Sequence, residues 1–224
     1  MKKKIMLTII IGSILTFFIY KVFYHEDINI VALGDGVATG LTAYNVKGYS
    51  YNDYLRDYFE ETSIVKEYIT EFSNVDETTE TLILKLQNNY TLESTGISIT
   101  QAISKAKILT ISLGMNELSH KMEIETEEVE SYSTNMEKIL KLLRIYNKKD
   151  IFLISLYETT FLNSTKVTEI NDGLRKLCDT YQVHYIDITD ILSNKEYLFN
   201  NKSFYFNYRA HRYISEEMLK FLSN

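Results

Sequence analysis

Short apolar runs alternate with amphipathic stretches along most of this chain, and that alternation restricts the fold more than any other feature. Ile28 to Leu33 stops at Gly34, and Ile108 to Leu113 stops at Gly114. Further runs lie within Ile64 to Phe72, Ile151 to Tyr157 and Val183 to Ile188. Strands that are apolar throughout are buried on both faces, and strands separated by helices need crossover connections. The pattern therefore predicts a three-layer α/β/α domain around a five-stranded parallel sheet.

The intervening stretches read as helices. Ser50 and Asp53 have capping-box spacing, and behind them Tyr51, Tyr54, Leu55, Tyr58 and Phe59 recur on one helical face. Helices follow from about Glu77 to Asn88, with Leu82, Leu84 and Leu86 among their apolar residues, and near Ile99 to Ala106. The longest runs from roughly Glu125 to Tyr146, with Val129, Tyr132, Met136, Ile139, Leu140 and Leu143 as its buried stripe. Its glutamates gather at the start and its basic residues toward the end, which suits the helix dipole. Val167, Ile170, Leu174, Leu177 and Tyr181 mark another helix, and Arg209 to Leu222 a closing one. No composition shift divides residues 27–224. In parallel sheets of this kind ligands bind beyond the carboxyl ends of the strands, here at Gly34, Ser73, Gly114 and Glu158.

Residues 1–26 form a separate unit. Lys2, Lys3 and Lys4 precede an uncharged run from Ile5 to Tyr20, which Val22, Phe23 and Tyr24 extend beyond Lys21. As a helix the run to Tyr24 measures about 30 Å, enough to cross a bilayer core. The leading lysines predict a cytoplasmic N-terminus and a globular domain outside a cell membrane. A cleaved signal peptide is the rival reading, but no small-x-small cleavage site follows the run. An uncleaved single-pass transmembrane anchor, followed by a domain over residues 27–224, is the expectation. The net charge of −6 argues against a nucleic-acid partner. One cysteine, Cys178, precludes a disulfide framework and reads as a buried thiol.

Four blocks carry a family resemblance. The segment from Ile30 to Gly40, with Gly34-Asp35-Gly36-Val37-Ala38-Thr39-Gly40, resembles the first block of the SGNH (GDSL-type) ester hydrolases, a strand followed by Gly-Asp-Ser-x-(Ser/Thr)-x-Gly. Ala102 to Leu118, ending Gly114-Met115-Asn116-Glu117-Leu118, resembles that family's helix, strand and Gly-x-Asn-Asp turn. Phe72 to Glu80 aligns with its Gly-x-x-Gly-Asp-x-Thr loop, and Tyr205 to Ile214 sits where it has His-Pro-Asn-x-x-Gly-His-x-x-Ile. The resemblance spans the chain from Ile28 onward and implies the flavodoxin-like SGNH-hydrolase fold.

The resemblance also implies roles, and this chain departs from most of them. The family's nucleophilic serine corresponds to Gly36, its histidine to Tyr205, and the aspartate three residues earlier to Lys202. Of the oxyanion donors Asn116 persists, whereas the glycine position carries Asp76, a carboxylate that repels developing negative charge if it points inward. Shifting the base to His211 or His184 fails, because Tyr208 and Tyr181 stand three residues before them. Removing such a nucleophile or base costs on the order of a millionfold in turnover. The expectation is thus a catalytically inactive relative, a pseudoenzyme acting as an extracytoplasmic binding or scaffolding domain for an acyl chain, a glycan or a cell-envelope protein. The alternative is an active esterase or acyltransferase with relocated catalytic residues.

Gly34, Asp35, Thr39, Ser73, Gly114 and Glu117 are expected around the cleft, with Asp35 bonding loop amides and the glycines serving backbone geometry. Tyr44, Tyr49, Tyr205 and Tyr208 are aromatic candidates for lining it, and His120 follows the Gly-x-Asn turn closely. No cofactor or metal is expected. A competing idea is that Asp35, Asp76 and Glu117, past the ends of adjacent strands, gather into a hard-cation site for Ca²⁺ or Mg²⁺ beside Asn116.

Overall fold

The structure, a computed structural model, describes residues 27–118, 124–159, 162–199 and 205–222. The transmembrane expectation for residues 1–26, and the positions of His120 and Lys202, lie outside the described residues. Among those described, no helix is long and apolar enough to cross a membrane.

The apolar runs form β1 (Asp27–Gly34), β2 (Ile64–Ile69), β3 (Ile108–Ser112), β4 (Asp150–Ile154) and β5 (His184–Ile186). They make one sheet in the order β2-β1-β3-β4-β5, with every pair parallel. All carboxyl ends therefore lie on one edge. Helices α1 (Tyr51–Thr62), α2 (Thr79–Gln87), α3 (Ile99–Lys105), α4 (Met115–Leu118), α5 (Thr126–Tyr146) and α6 (Ser164–Tyr181) supply the crossovers, and α7 (Tyr208–Leu222) follows the last strand. The pair α1 and α7 packs together on one side, while α5 packs against α2, α3 and α6 on the other. β3 is buried along its whole length, as a central strand covered on both faces must be.

Element ends depart from the sequence pattern where side chains take over from neighbouring strands. β2 stops at Ile69, and α2 starts only at Thr79 because Thr78 caps it: the Thr78 hydroxyl accepts from the Thr81 N–H at 3.2 Å. The apolar run after Asp150 leaves the sheet at Ile154, although Leu156 and Tyr157 remain buried. The backbone N–H and C=O of Leu156 are both satisfied by the Asn171 amide at 2.9 Å, so no strand partner is needed. The stripe on α5 is the expected one. On α1 the buried face is Tyr51, Asn52 and Leu55, while Tyr58 faces solvent, as does Leu84 on α2. Asn52 explains the rotation of α1: its amide donates to the Ala38 carbonyl at 3.2 Å and accepts from the Thr110 hydroxyl at 2.7 Å. A buried hydrogen-bonding side chain therefore fixes the helix face that aromatic periodicity alone misassigns.

At the opposite edge Arg144, in the last turn of α5, closes the ends of several elements. Its guanidinium donates to the carbonyls of Tyr181 and Lys149, both at 2.7 Å, and to those of Gln182 and Asn147. Two of these are carbonyls at the end of α6 that have no partner within the helix.

Candidate functional site

The turn leaving β1 is built by backbone contacts that leave no room for alternatives. Gly34 has φ +133°, and a Cβ there would stand 1.8 Å from the Ser112 carbonyl oxygen of β3. Only glycine permits that approach. The next residue, Asp35, donates its N–H to the same Ser112 carbonyl at 2.8 Å. Its carboxylate is fully buried and accepts from the Val37 N–H at 3.3 Å and from the Asn116 N–H at 3.2 Å. Asp35 thus ties the end of β1 to the start of α4. The Asn74 N–H reaches the Gly34 carbonyl at 2.9 Å and brings in the loop after β2. Three strand ends are joined at one point.

Burial raises the Asp35 carboxyl to about 7, outweighing the backbone N–H groups of Asn116, Val37 and Met115, which favour its charged form. Glu117 pushes in the same direction as burial.

Gly36 is the first residue free of this knot. Its carbonyl accepts from the Leu41 N–H at 2.8 Å and from the Thr39 hydroxyl at 3.0 Å, so the Thr39 side chain closes the turn. A Cβ built on Gly36 would meet only the Leu41 side chain, at 3.2 Å. Gly114 is shaped by a ring: its Cβ position falls 2.6 Å from Tyr132, whose hydroxyl donates to the Leu113 carbonyl at 2.8 Å.

The three carboxylates proposed as a cation site do not converge. Asp35 faces backbone amides, and Asp76 is exposed. Glu117 accepts from the Thr79 N–H at 2.6 Å and its hydroxyl at 3.0 Å, anchoring the start of α2. Among the described residues no group of three His, Cys, Asp or Glu could hold a metal ion. Asp35 and Glu117 are each satisfied by nearer protein donors.

On the far side of the cleft, the segment entering α7 is packed with aromatic residues. Tyr205 is exposed, but Phe206 is buried with its ring 4.5 Å from that of Tyr157, three residues past β4. Tyr157 was missed by sequence reasoning, which assigned it to the strand. Burial raises its hydroxyl pKa strongly, with Asp35 and then Tyr205 adding to the effect. Tyr44 packs edge-on against Phe199, with centroids 5.2 Å apart, so it does reach the segment facing the turn. Tyr49 instead bonds Asp57 and Arg56 beside α1, and Tyr208 stands against Arg209.

Neither described imidazole meets a hydroxyl. His211 is buried, stacked on Tyr51 and edge-on to Phe206; its Nδ1 has no partner, and burial lowers its pKa to about 4. His184 begins β5, at the opposite edge, and its Nε2 meets Asp150 at 3.1 Å. Ser73, in the loop after β2, has a buried hydroxyl without a partner.

The GDSL-like lipase/acylhydrolase model matches residues 19–218 of the sequence. The chain belongs to that family. No curated protein matches it. Solved structures reproduce the fold of this GDSL-like chain over most of its length. A lipase from a goat rumen metagenome superposes with a TM-score of 0.69 at 19% identity, covering 86% of this chain and 96% of its own. A psychrotrophic esterase from Pseudoalteromonas sp. gives 0.62 at 20% identity, covering 87% and 98%. An acetylxylan esterase from Geobacillus stearothermophilus gives 0.63 at only 10% identity, covering 87% and 93%. The GDSL-like architecture is thus shared where little of the sequence is.

Proposed function

We propose that this chain is a non-catalytic member of the GDSL-like family, a binding or scaffolding domain held on the outer face of a membrane by residues 1–26. The observation that carries the proposal is Gly36. The turn leaving β1 is held by buried hydrogen bonds, yet the residue that follows Asp35 offers no atom to attack a carbonyl. The surroundings support the same reading. Among the described residues no serine or threonine hydroxyl bonds an imidazole, and the Thr39 hydroxyl is committed to the Gly36 carbonyl.

The ligand expected in the cleft is an acyl chain, a glycan or an envelope protein. Family membership and the aromatic residues Tyr44, Phe199 and Tyr205 support the first two; the solved neighbours include a lipase and an acetylxylan esterase. One observation favours an active esterase or acyltransferase instead: the unpartnered buried hydroxyl of Ser73 is a nucleophile in search of a base.

Incubating the purified chain with nitrophenyl acetate and butyrate, then with a fluorophosphonate probe, tests the proposal. No turnover and no adduct are expected. An adduct mapped by mass spectrometry to Ser73, Thr39 or any other cleft residue overturns it.

A further inference from the structure

The edge of the sheet opposite the cleft has a surface chemistry of its own. Because all five strands are parallel, Asp27, the first described residue of β1, lies on the same edge as the amino ends of β4 and β5. Two strand spacings, about 10 Å, separate β1 from β4 laterally. The chain therefore enters the domain from residues 1–26 close to the corner formed by β4, β5 and the ends of α5, α6 and α7.

That corner combines exposed apolar side chains with cations. Ile145 is 60% exposed, Tyr146 39% and Phe221 46%. Phe221 reaches His184 with ring centroids 4.9 Å apart, so the apolar group from α7 joins the mouth of β5. At the same corner lies a groove of about 600 Å³ lined by Arg144, Lys148, Lys149, Asp150, Tyr181 and His184, among others. The carboxylates at this corner are Asp150, bonded to His184, Asp179 in the last turn of α6, and Glu137 of α5, which accepts from the Tyr181 hydroxyl at 3.1 Å. In the lining of the groove itself Arg144, Lys148 and Lys149 outnumber the single carboxylate, Asp150, in a chain whose net charge is −6. Large apolar and aromatic side chains beside lysines, at the point where an apolar segment joins, match the interfacial layer of a bilayer.

We infer that this corner docks on an anionic phospholipid surface, with a headgroup phosphate in the groove and Ile145, Tyr146 and Phe221 at the acyl boundary. The inference rests on the membrane-held reading above and deepens it. Docking fixes the orientation of the domain: the cleft at the carboxyl edge of the sheet faces away from the bilayer, open to partners in the surrounding space.

The test uses the full chain bound to vesicles of phosphatidylcholine with or without phosphatidylglycerol. A fluorophore is placed by Ile145→Cys or, at the opposite edge, by Tyr44→Cys; Cys178 is buried and stays unlabelled in the native protein. A nitroxide lipid carrying its quencher at headgroup depth reports proximity. Strong quenching is expected at position 145 on anionic vesicles and little at position 44. Lys148→Gln with Lys149→Gln should lower the docked-to-undocked ratio about thirtyfold.

If the chain floats with both vesicle types but position 145 is quenched no more than position 44, the docking surface falls and the anchor stands. Flotation with anionic vesicles alone, with position 145 quenched, supports the surface and removes the anchor. If the chain floats with neither, both fall.

Discussion

The turn leaving β1 and the segment entering α7 are held in place in different ways. The turn keeps its backbone: Gly34 against Ser112, Asp35 between two loops, and the carbonyl of Gly36 closed by Thr39 and Leu41. The residue after Asp35, Gly36, carries no side chain. The segment before α7 is tied differently, by Phe206 packed on Tyr157, an isolated bridge from Leu198 to Phe206, and Asn207 donating to the Leu198 carbonyl at 2.8 Å. Aromatic packing holds it, with Tyr205 left at the surface. Backbone bonds thus hold the turn whatever side chain follows Asp35, whereas in the segment before α7 apolar packing does the structural work.

Substitutions can sharpen or break that contrast. Gly34→Ala should have the largest effect, more than about 4 kcal/mol, because its Cβ meets backbone that cannot move aside; little folded protein is expected on expression. Phe206→Ala should cost about 3–5 kcal/mol by opening a cavity beside Tyr157, measured by urea denaturation. An effect on stability as small as that of exposed Tyr205→Ala, within about 0.5 kcal/mol, would break the claim that packing holds this segment.

Asp35→Asn comes next, at about 1–3 kcal/mol, because an amide cannot accept from both N–H groups through two oxygens. The same variant tests the titration. With its folded pKa raised from 3.8 to about 7, Asp35 binds a proton more tightly in the native state. Its contribution to stability is full below pH 4, declines as pH rises toward 7, and is flat above that. Denaturation curves between pH 4.5 and 8 should therefore lose this downward slope in Asp35→Asn. Gly36→Ser is the smallest change. Its Cβ needs only a slight shift of the flexible Leu41 side chain, so stability should move by less than about 1 kcal/mol. Nitrophenyl ester turnover should stay at background, because among the described residues no hydroxyl of this turn has an imidazole partner.

Much of this was legible in the sequence. Apolar runs broken by helical periods specify a parallel sheet, and the α5 stripe appeared residue for residue. The short polar side chains were not legible. Asn52, Asn171 and Asn147 each make two hydrogen bonds to groups distant in sequence, and nothing in local periodicity marks them. The same physics undid the cation site. Asp35, Asp76 and Glu117 sit past neighbouring strands as expected, but strand position does not say which way a carboxylate turns. Tyr157 was hidden because an apolar run continues past the last ladder bond of its strand.

Arg144 has a consequence for how the domain opens. One guanidinium holds the end of α6, the turn after α5 and the residue preceding β4. These chain ends cannot fray one at a time, because releasing any of them leaves a charged donor facing an empty place. Amide protons around Lys149, Val183 and Cys178 should therefore exchange with solvent at a common rate, and Arg144→Lys, which cannot span all the carbonyls at once, should split that rate into several.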